Sequence, residues 1–300
     1  MIVCITLLPG WAPALTSASL PVLHATESLR GFSMGGAGVA LGADATMIWS
    51  NPGAGSGLLH PSLQVGGRFG SGVGQAGKLA VAWPLLGGAV SGGAAVYDGG
   101  SIDLESPDGA IRTVNAREEW LLLAGMALPM PFGGTAGVNV KWINSVLLGE
   151  FGTHMAAIDA GAQYPLNDYC KAGIAVHDLG STFSYRADPA TLPTRVAAGL
   201  LTGWRLSDDE WFPIHADQVI GTADLERAMG TGRMAAMAGV EFGWMGTFSL
   251  RTGIRMAGDA GPALSGGLAF RHDAYRLEYG LQVLARATML PQMFSLIIEW

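Results

Sequence analysis

The sequence predicts an all-β chain: a transmembrane antiparallel β-barrel of about fourteen strands. Three observations predict it. Charged residues make up only 14% of the 300 residues, against roughly 25% in ordinary soluble domains, and mean hydropathy is +0.33. After residue 30, no run of ~18 apolar residues free of charge and proline is long enough for a membrane helix. Instead, segments of about 9 to 11 residues, the length of a tilted spanning strand, alternate apolar and polar side chains. Apolarity dealt out this way suits strands with one face toward lipid.

The elements follow in order. "MIVCITLLPGWAPALTSASLP" is apolar, then small. Ala12-Pro13-Ala14 and Thr16-Ser17-Ala18 resemble cleavage sites, so residues 1–18 read as a secretory signal peptide, although no Lys or Arg precedes Arg30. Cys4 falls in that segment, which leaves Cys170 as a single thiol and no internal disulfide. Residues 19–60 carry the Gly- and Ala-rich stretch "MGGAGVALGADATMIWSNPGAGSGL" and show no strand rhythm.

From residue 61 to 300 the alternation sets in. Strands are predicted near 62–69, 77–84, 88–98, 117–128, 133–146, 155–164, 169–177, 194–206, 211–219, 233–244, 247–257, 263–271, 274–284 and 292–300. An even number is what single-chain bacterial barrels require. In 247–256, Phe248, Leu250, Thr252, Ile254 and Met256 oppose Ser249, Arg251, Gly253 and Arg255. In 275–284, Tyr275, Leu277, Tyr279, Leu281 and Val283 oppose Arg276, Glu278, Gly280 and Gln282. Longer excursions are expected at 99–116, as a small extra hairpin, at 178–193 and at 221–232.

The ending "MFSLIIEW" places Phe294, Leu296, Ile298 and Trp300 on one face. It resembles the signal read by the barrel assembly machinery, a last strand closing on an aromatic residue. A free edge of this kind is an aggregation hazard, which a closed barrel removes. The expected location is the bacterial outer membrane, with lipid as the surrounding partner.

Several chemistries are excluded or weak. Net charge is −7 with no basic stripe, so no nucleic-acid partner is expected. Gly36-x-Gly38 lacks the later glycine of a dinucleotide loop and has no βαβ context. Gly31-Phe32-Ser33-Met34-Gly35 matches a nucleophile-elbow pattern that needs a strand before it and a helix after it; in a chain with 45 glycines such matches arise by chance. The histidines at 24, 60, 154, 177, 215 and 272 are scattered, so no metal or other cofactor is expected, nor any enzymatic activity. Lys141, Asp159, His215, Asp217, Glu241, Arg251, Arg255, Arg271, Arg276 and Glu278 fall on the minority polar faces. Arg251, Arg255, Arg271, Arg276 and Glu278 belong to three successive strands and are expected to lie close together, as a lumenal salt-bridge network.

Four stretches carry a family resemblance: "LRGFSMGGAGVALGADATMIWSNPGAGSGL", "LPTRVAAGL", "GVEFGWMGTFSLRTGIRMAGDAGPALSGGLAFRHDAYRLEYGLQ" and "MFSLIIEW". The chain resembles the PorV/PorQ outer-membrane proteins, relatives of the FadL-type fatty-acid transporters. It departs from them at Asn51-Pro52-Gly53, where Asn-Pro-Ala is usual, and at Pro291-Gln292-Met293. The resemblance implies fourteen strands at 61–300, with residues 19–60 as a plug in the lumen. Gly35, Gly36, Gly38, Asp44, Asn51 and Pro52 would pack that plug and hydrogen-bond it to the wall. It implies a role in protein export or cell-surface attachment, through loops that engage secretion-system or surface proteins. The alternative it leaves open is a FadL-like transporter whose ligand is a hydrophobic small molecule. A lumen lined with apolar residues and a side opening would favour transport; a lumen filled by plug and side chains would favour interaction.

Overall fold

The computed structural model describes residues 20–42, 44–70, 74–106, 109–185, 189–205, 216–258, 261–284 and 290–300. The signal peptide expected at 1–18 lies outside the described residues.

The strands are β1 (Ser62–Phe69), β2 (Gln75–Leu85), β3 (Gly88–Asp98), β4 (Ser101–Glu105), β5 (Ile111–Asn115), β6 (Arg117–Pro129), β7 (Thr135–Leu147), β8 (Phe151–Pro165), β9 (Cys170–Gly180), β10 (Thr182–Ser184), β11 (Pro189–Thr191), β12 (Arg195–Arg205), β13 (Gln218–Ala228), β14 (Met234–Trp244), β15 (Phe248–Ala257), β16 (Gly261–His272), β17 (Tyr275–Leu284) and β18 (Gln292–Glu299). Fourteen of them close an antiparallel barrel, with β1 paired to β18. Closure matters because lipid offers no partner to an unpaired N–H or C=O. The other four form two hairpins, β4–β5 and β10–β11, outside the barrel ladder. The first fills the excursion expected at 99–116, and the second lies within 178–193.

One expectation is corrected. The strand placed at 211–219 is β13 at Gln218–Ala228, and the loop placed at 221–232 is mostly that strand. Residues 206–215 lie outside the described residues.

Alternation sorts the faces. On β2, Leu79, Val81 and Trp83 are exposed while Lys78, Ala80 and Ala82 are buried. On β18, Phe294 and Trp300 face out between buried Met293, Ser295 and Ile297, with Leu296 and Ile298 part-covered on the same outer face. This outer band of apolar side chains is the surface that meets lipid. Aromatics gather where it ends: Trp83 stands edge-on to Trp300 with centroids 6.2 Å apart, and Trp244 lies 5.6 Å from Phe248. Such girdles sit at the membrane interface. This is the Ser62/Glu299 end, where the Leu86–Gly87, 245–247 and 273–274 turns are short. Outer-membrane barrels carry their longer loops on the extracellular side, and the two extra hairpins, β4–β5 and β10–β11, both stand at the opposite end, which is the outward one.

Residues 20–58 fold inside the ring. They form helices α1 (Pro21–Ala25), α2 (Leu29–Ser33) and α3 (Met47–Ser50), then a 3-10 turn at Pro52–Gly57. Pro21 starts α1 at a position where its missing N–H costs nothing. The Ser28 hydroxyl caps α2 by accepting from the Gly31 N–H at 3.0 Å, and Gly35 and Gly36, at φ +78° and +93°, turn the chain out of that helix.

Candidate functional site

The site is the contact between this inner segment and the barrel wall. Inward glycines stand directly opposite one another on neighbouring strands: Gly137 with Gly161, Gly173 with Gly199, Gly239 with Gly253, and Gly267 with Gly280. The inner segment runs along this girdle. The Ser33 side chain presses on Gly267 and Gly280, Met34 and Gly35 on Gly253, Val39 on Gly173, Asn51 on Gly161 and the Pro52 carbonyl on Gly137. A Cβ at Gly253 would sit 2.1 Å from the Met34 carbonyl carbon, and one at Gly239 2.4 Å from its Cβ. Much of the chain's glycine is thus spent on letting one backbone lie against another. The Gly31–Gly35 pattern sits on α2 and the turn after it, and among the described residues helix α1 precedes it where a nucleophile elbow needs a strand.

Wall side chains then fasten the plug's backbone. Asp224 accepts from the N–H groups of Gly38 at 2.6 Å and Val39 at 2.8 Å. Ser265 accepts from the Gly35 N–H at 2.8 Å. Asn139 donates to the Ile48 carbonyl, and Gln163 donates to those of Val39 and Leu41. Asn51 works from the plug side, donating to Ala162 O at 3.1 Å and to Val39 O at 2.7 Å. Without these partners each buried amide or carbonyl would cost about 1–3 kcal/mol.

Ion pairs form two networks, one joining plug to wall and one within the wall. In the periplasmic half, plug Arg30 forks onto Glu241 at 2.8 and 2.9 Å. Glu241 also takes Arg251 at 2.5 Å, Arg251 reaches Glu278 at 2.8 Å, and Arg276 joins Glu278 to plug Asp44. In the outward half, Lys141 lies 2.7 Å from both Asp159 and Asp178, Arg195 bridges Asp178 and Glu226, and Arg255 meets Glu226 at 3.0 Å. Of the five residues grouped by sequence, four lie together. Arg251, Arg276 and Glu278 share the lower network, and half-exposed Arg271, opposite Arg276 on the ladder, joins it at the rim through Glu299. Arg255 belongs to the upper one, because it lies four residues, two periods of the alternation, further along β15. Asp217 is exposed outside the strand rather than lumenal, and His215 lies outside the described residues.

Asp44 gives the latch a pH dependence. Burial alone would push its carboxyl up, but the Arg276 guanidinium and two hydrogen bonds from Thr46 outweigh burial and hold it at about 2. A released aspartate titrates near ~3.9. With the seated value lower than the released one, the stabilisation is full above about pH 4 and is lost as pH falls through about 2. Protection of the 44–47 amides against hydrogen exchange, corrected for intrinsic rate, is expected to fall across that window. In Asp44→Asn it is expected to be low and flat, with the β16–β17 amides still protected.

On the β6–β8 side, the outward half of the lumen is apolar. Leu121, Leu123, Ile143 and Met155 from the wall pack with Leu20, Val22 and Leu23 of the plug. Phe183 and Leu192 of the β10–β11 hairpin close this compartment from above.

Sequence reasoning missed several fastening residues: Arg30, Lys78, Glu119, Asn139, Gln163 and Asp224. Asp224 was hidden by the misplaced β13, although Ile220, Thr222, Asp224 and Glu226 do alternate with Val219, Gly221, Ala223 and Leu225. The others look like ordinary polar residues until the plug is laid against them.

A closed fourteen-strand barrel with a buried N-terminal segment and a lipid-facing apolar band defines a plugged outer-membrane β-barrel. Among solved structures, its fold is that of the FadL-type barrels. The toluene transporter TodX of Pseudomonas putida matches with a TM-score of 0.66 and 13% identity over 91% of this chain and 98% of that one. The toluene transporter TbuX of Ralstonia pickettii matches at 0.62 and 13% over the same shares. A FadL homologue of Pseudomonas aeruginosa matches at 0.55 and 11%, again over 91% and 98%. No protein-family model matches the sequence, and no curated protein matches it. These likenesses bear out the FadL-like barrel and bring no support for the narrower PorV/PorQ resemblance.

Proposed function

We propose that the chain carries hydrophobic small molecules, of the size of a monoaromatic hydrocarbon, across the outer membrane. The observation that carries this reading is the apolar compartment under the β10–β11 hairpin. Apolar side chains converging inside the barrel, in place of polar ones that would hold water, suit the passage of an apolar solute. The architecture shared with TodX and TbuX, both described as toluene transporters, supports the same reading. In this conformation the plug fills the lumen, so passage requires the hairpin and the plug to give way.

The filled lumen also suits the rival role, export or surface attachment of PorV/PorQ type. Hairpin β4–β5 rises from the barrel rim with Ile102 and Ile111 exposed, a surface such a role would use. Uptake of labelled toluene by cells with and without the protein separates the two. Transport predicts saturable uptake that disappears on deletion and returns on complementation. Equal uptake in both strains, with the protein verified in the outer membrane, would discard transport and leave the export role.

A further inference from the structure

A chain of hydrogen bonds ties the outward hairpin to the plug. The Tyr185 hydroxyl, which follows β10, meets Ser145 Oγ of β7 at 2.6 Å. Ser145 Oγ donates to Glu119 Oε1 of β6 at 2.9 Å. The other oxygen of the same carboxylate, Oε2, accepts from the backbone N–H of Val22 in the first turn of α1 at 2.8 Å. Arg117 steadies both ends, 5.9 Å over the Tyr185 ring and 3.7 Å from Glu119 Oε1. Ser145 and Glu119 are buried, Glu119 to 3% exposure, so water does not compete for the bonds to Glu119, and Tyr185 is half-buried above them.

We infer that Glu119 is the hub of a strap that makes release of the outer hairpin and release of the plug's first helix one event. The inference rests on the transport reading for its use, since an incoming molecule must part Phe183 and Leu192 from Leu20, Val22 and Leu23. The geometry stands without that use. One carboxylate serves both elements with different oxygens, each donor being held by the charge the other also needs. Lifting the hairpin takes Tyr185 from Ser145 and frees the Ser145 hydroxyl to turn away from Glu119. The carboxylate, no longer oriented by Ser145, is then free to turn, and its Oε2 leaves the Val22 N–H. Two separate fastenings would show no such dependence.

The test uses the complete chain refolded in detergent and follows hydrogen exchange at Val22–Ala25. Tyr185→Phe removes one hydroxyl from the hairpin and touches nothing in the plug. The strap predicts that exchange at Val22–Ala25 accelerates about tenfold, the equivalent of losing the bond from Val22 to the Glu119 carboxylate, while the 44–47 amides are unchanged. Ser145→Ala and the isosteric Glu119→Gln are expected to do the same. Unchanged exchange at Val22–Ala25 in Tyr185→Phe and Ser145→Ala would overturn the strap, whatever happens to the hairpin. Failure of wild-type toluene uptake alongside accelerated exchange in the variants would instead count against transport and leave the strap standing.

Discussion

Arg251→Met is expected to cost about 3–5 kcal/mol of stability, the price of leaving buried carboxylates without their cation. Arg251 is 3% exposed and bridges Glu241 and Glu278, whose side chains are 10% and 0% exposed. Glu241 keeps Arg30, but Glu278 is left with Arg276 at 3.4 Å, a guanidinium already engaged by Asp44 and Glu299. Urea unfolding of the refolded barrel in detergent reads the loss. Adding Glu278→Gln to Arg251→Met is expected to recover part of it, because the second change removes the stranded charge. A double variant as destabilised as the sum of the two single variants would mean that Arg251 and Glu278 act independently.

Gly253→Val is the second large effect. The new side chain points inward at the Met34–Gly35 backbone, where even a Cβ would stand 2.1 Å from the Met34 carbonyl carbon. Neither backbone can yield easily: β15 is laddered on both sides, and the plug turns at Gly35 with φ +78°. Overpacking of this kind costs about 1–3 kcal/mol, and here the plug is the element free to leave. Trypsin is expected to cut at Arg30 in the variant and not in the wild type, with the barrel still folded. Gly221→Val is the control, because Gly221 lies on the outer face, with Thr202 Cγ2 at 3.5 Å as the nearest atom to a Cβ. An Arg30 cut equally slow in wild type and Gly253→Val would mean that the plug does not press on this glycine.

The barrel was legible because lipid imposes a strict two-residue rhythm. Tyr275 to Val283 and Phe248 to Met256 could be read as outward faces without any partner in view. β13 was not, because its faces are marked by Gly221 and Ala223 outward and Ile220 inward, which blurs the contrast. The plug's composition was visible, but its attachments were not. Gly38 meets Asp224 across 186 positions of sequence, and Asp44 meets Arg276 across 232. Nothing local to either residue announces its partner. Charge grouping missed only Arg255, for a related reason: Arg251 and Arg255 share a face of β15, yet a strand rises ~3.3 Å per residue, enough to place them in different networks.

Conductance of the complete chain in a planar lipid bilayer tests most directly whether residues 20–58 seal the cylinder from within. The wild type is expected to pass almost no ions, and Gly253→Val to show steps of open-pore conductance. A wild-type chain that held a steady, porin-like current would contradict the sealed lumen and everything built on it.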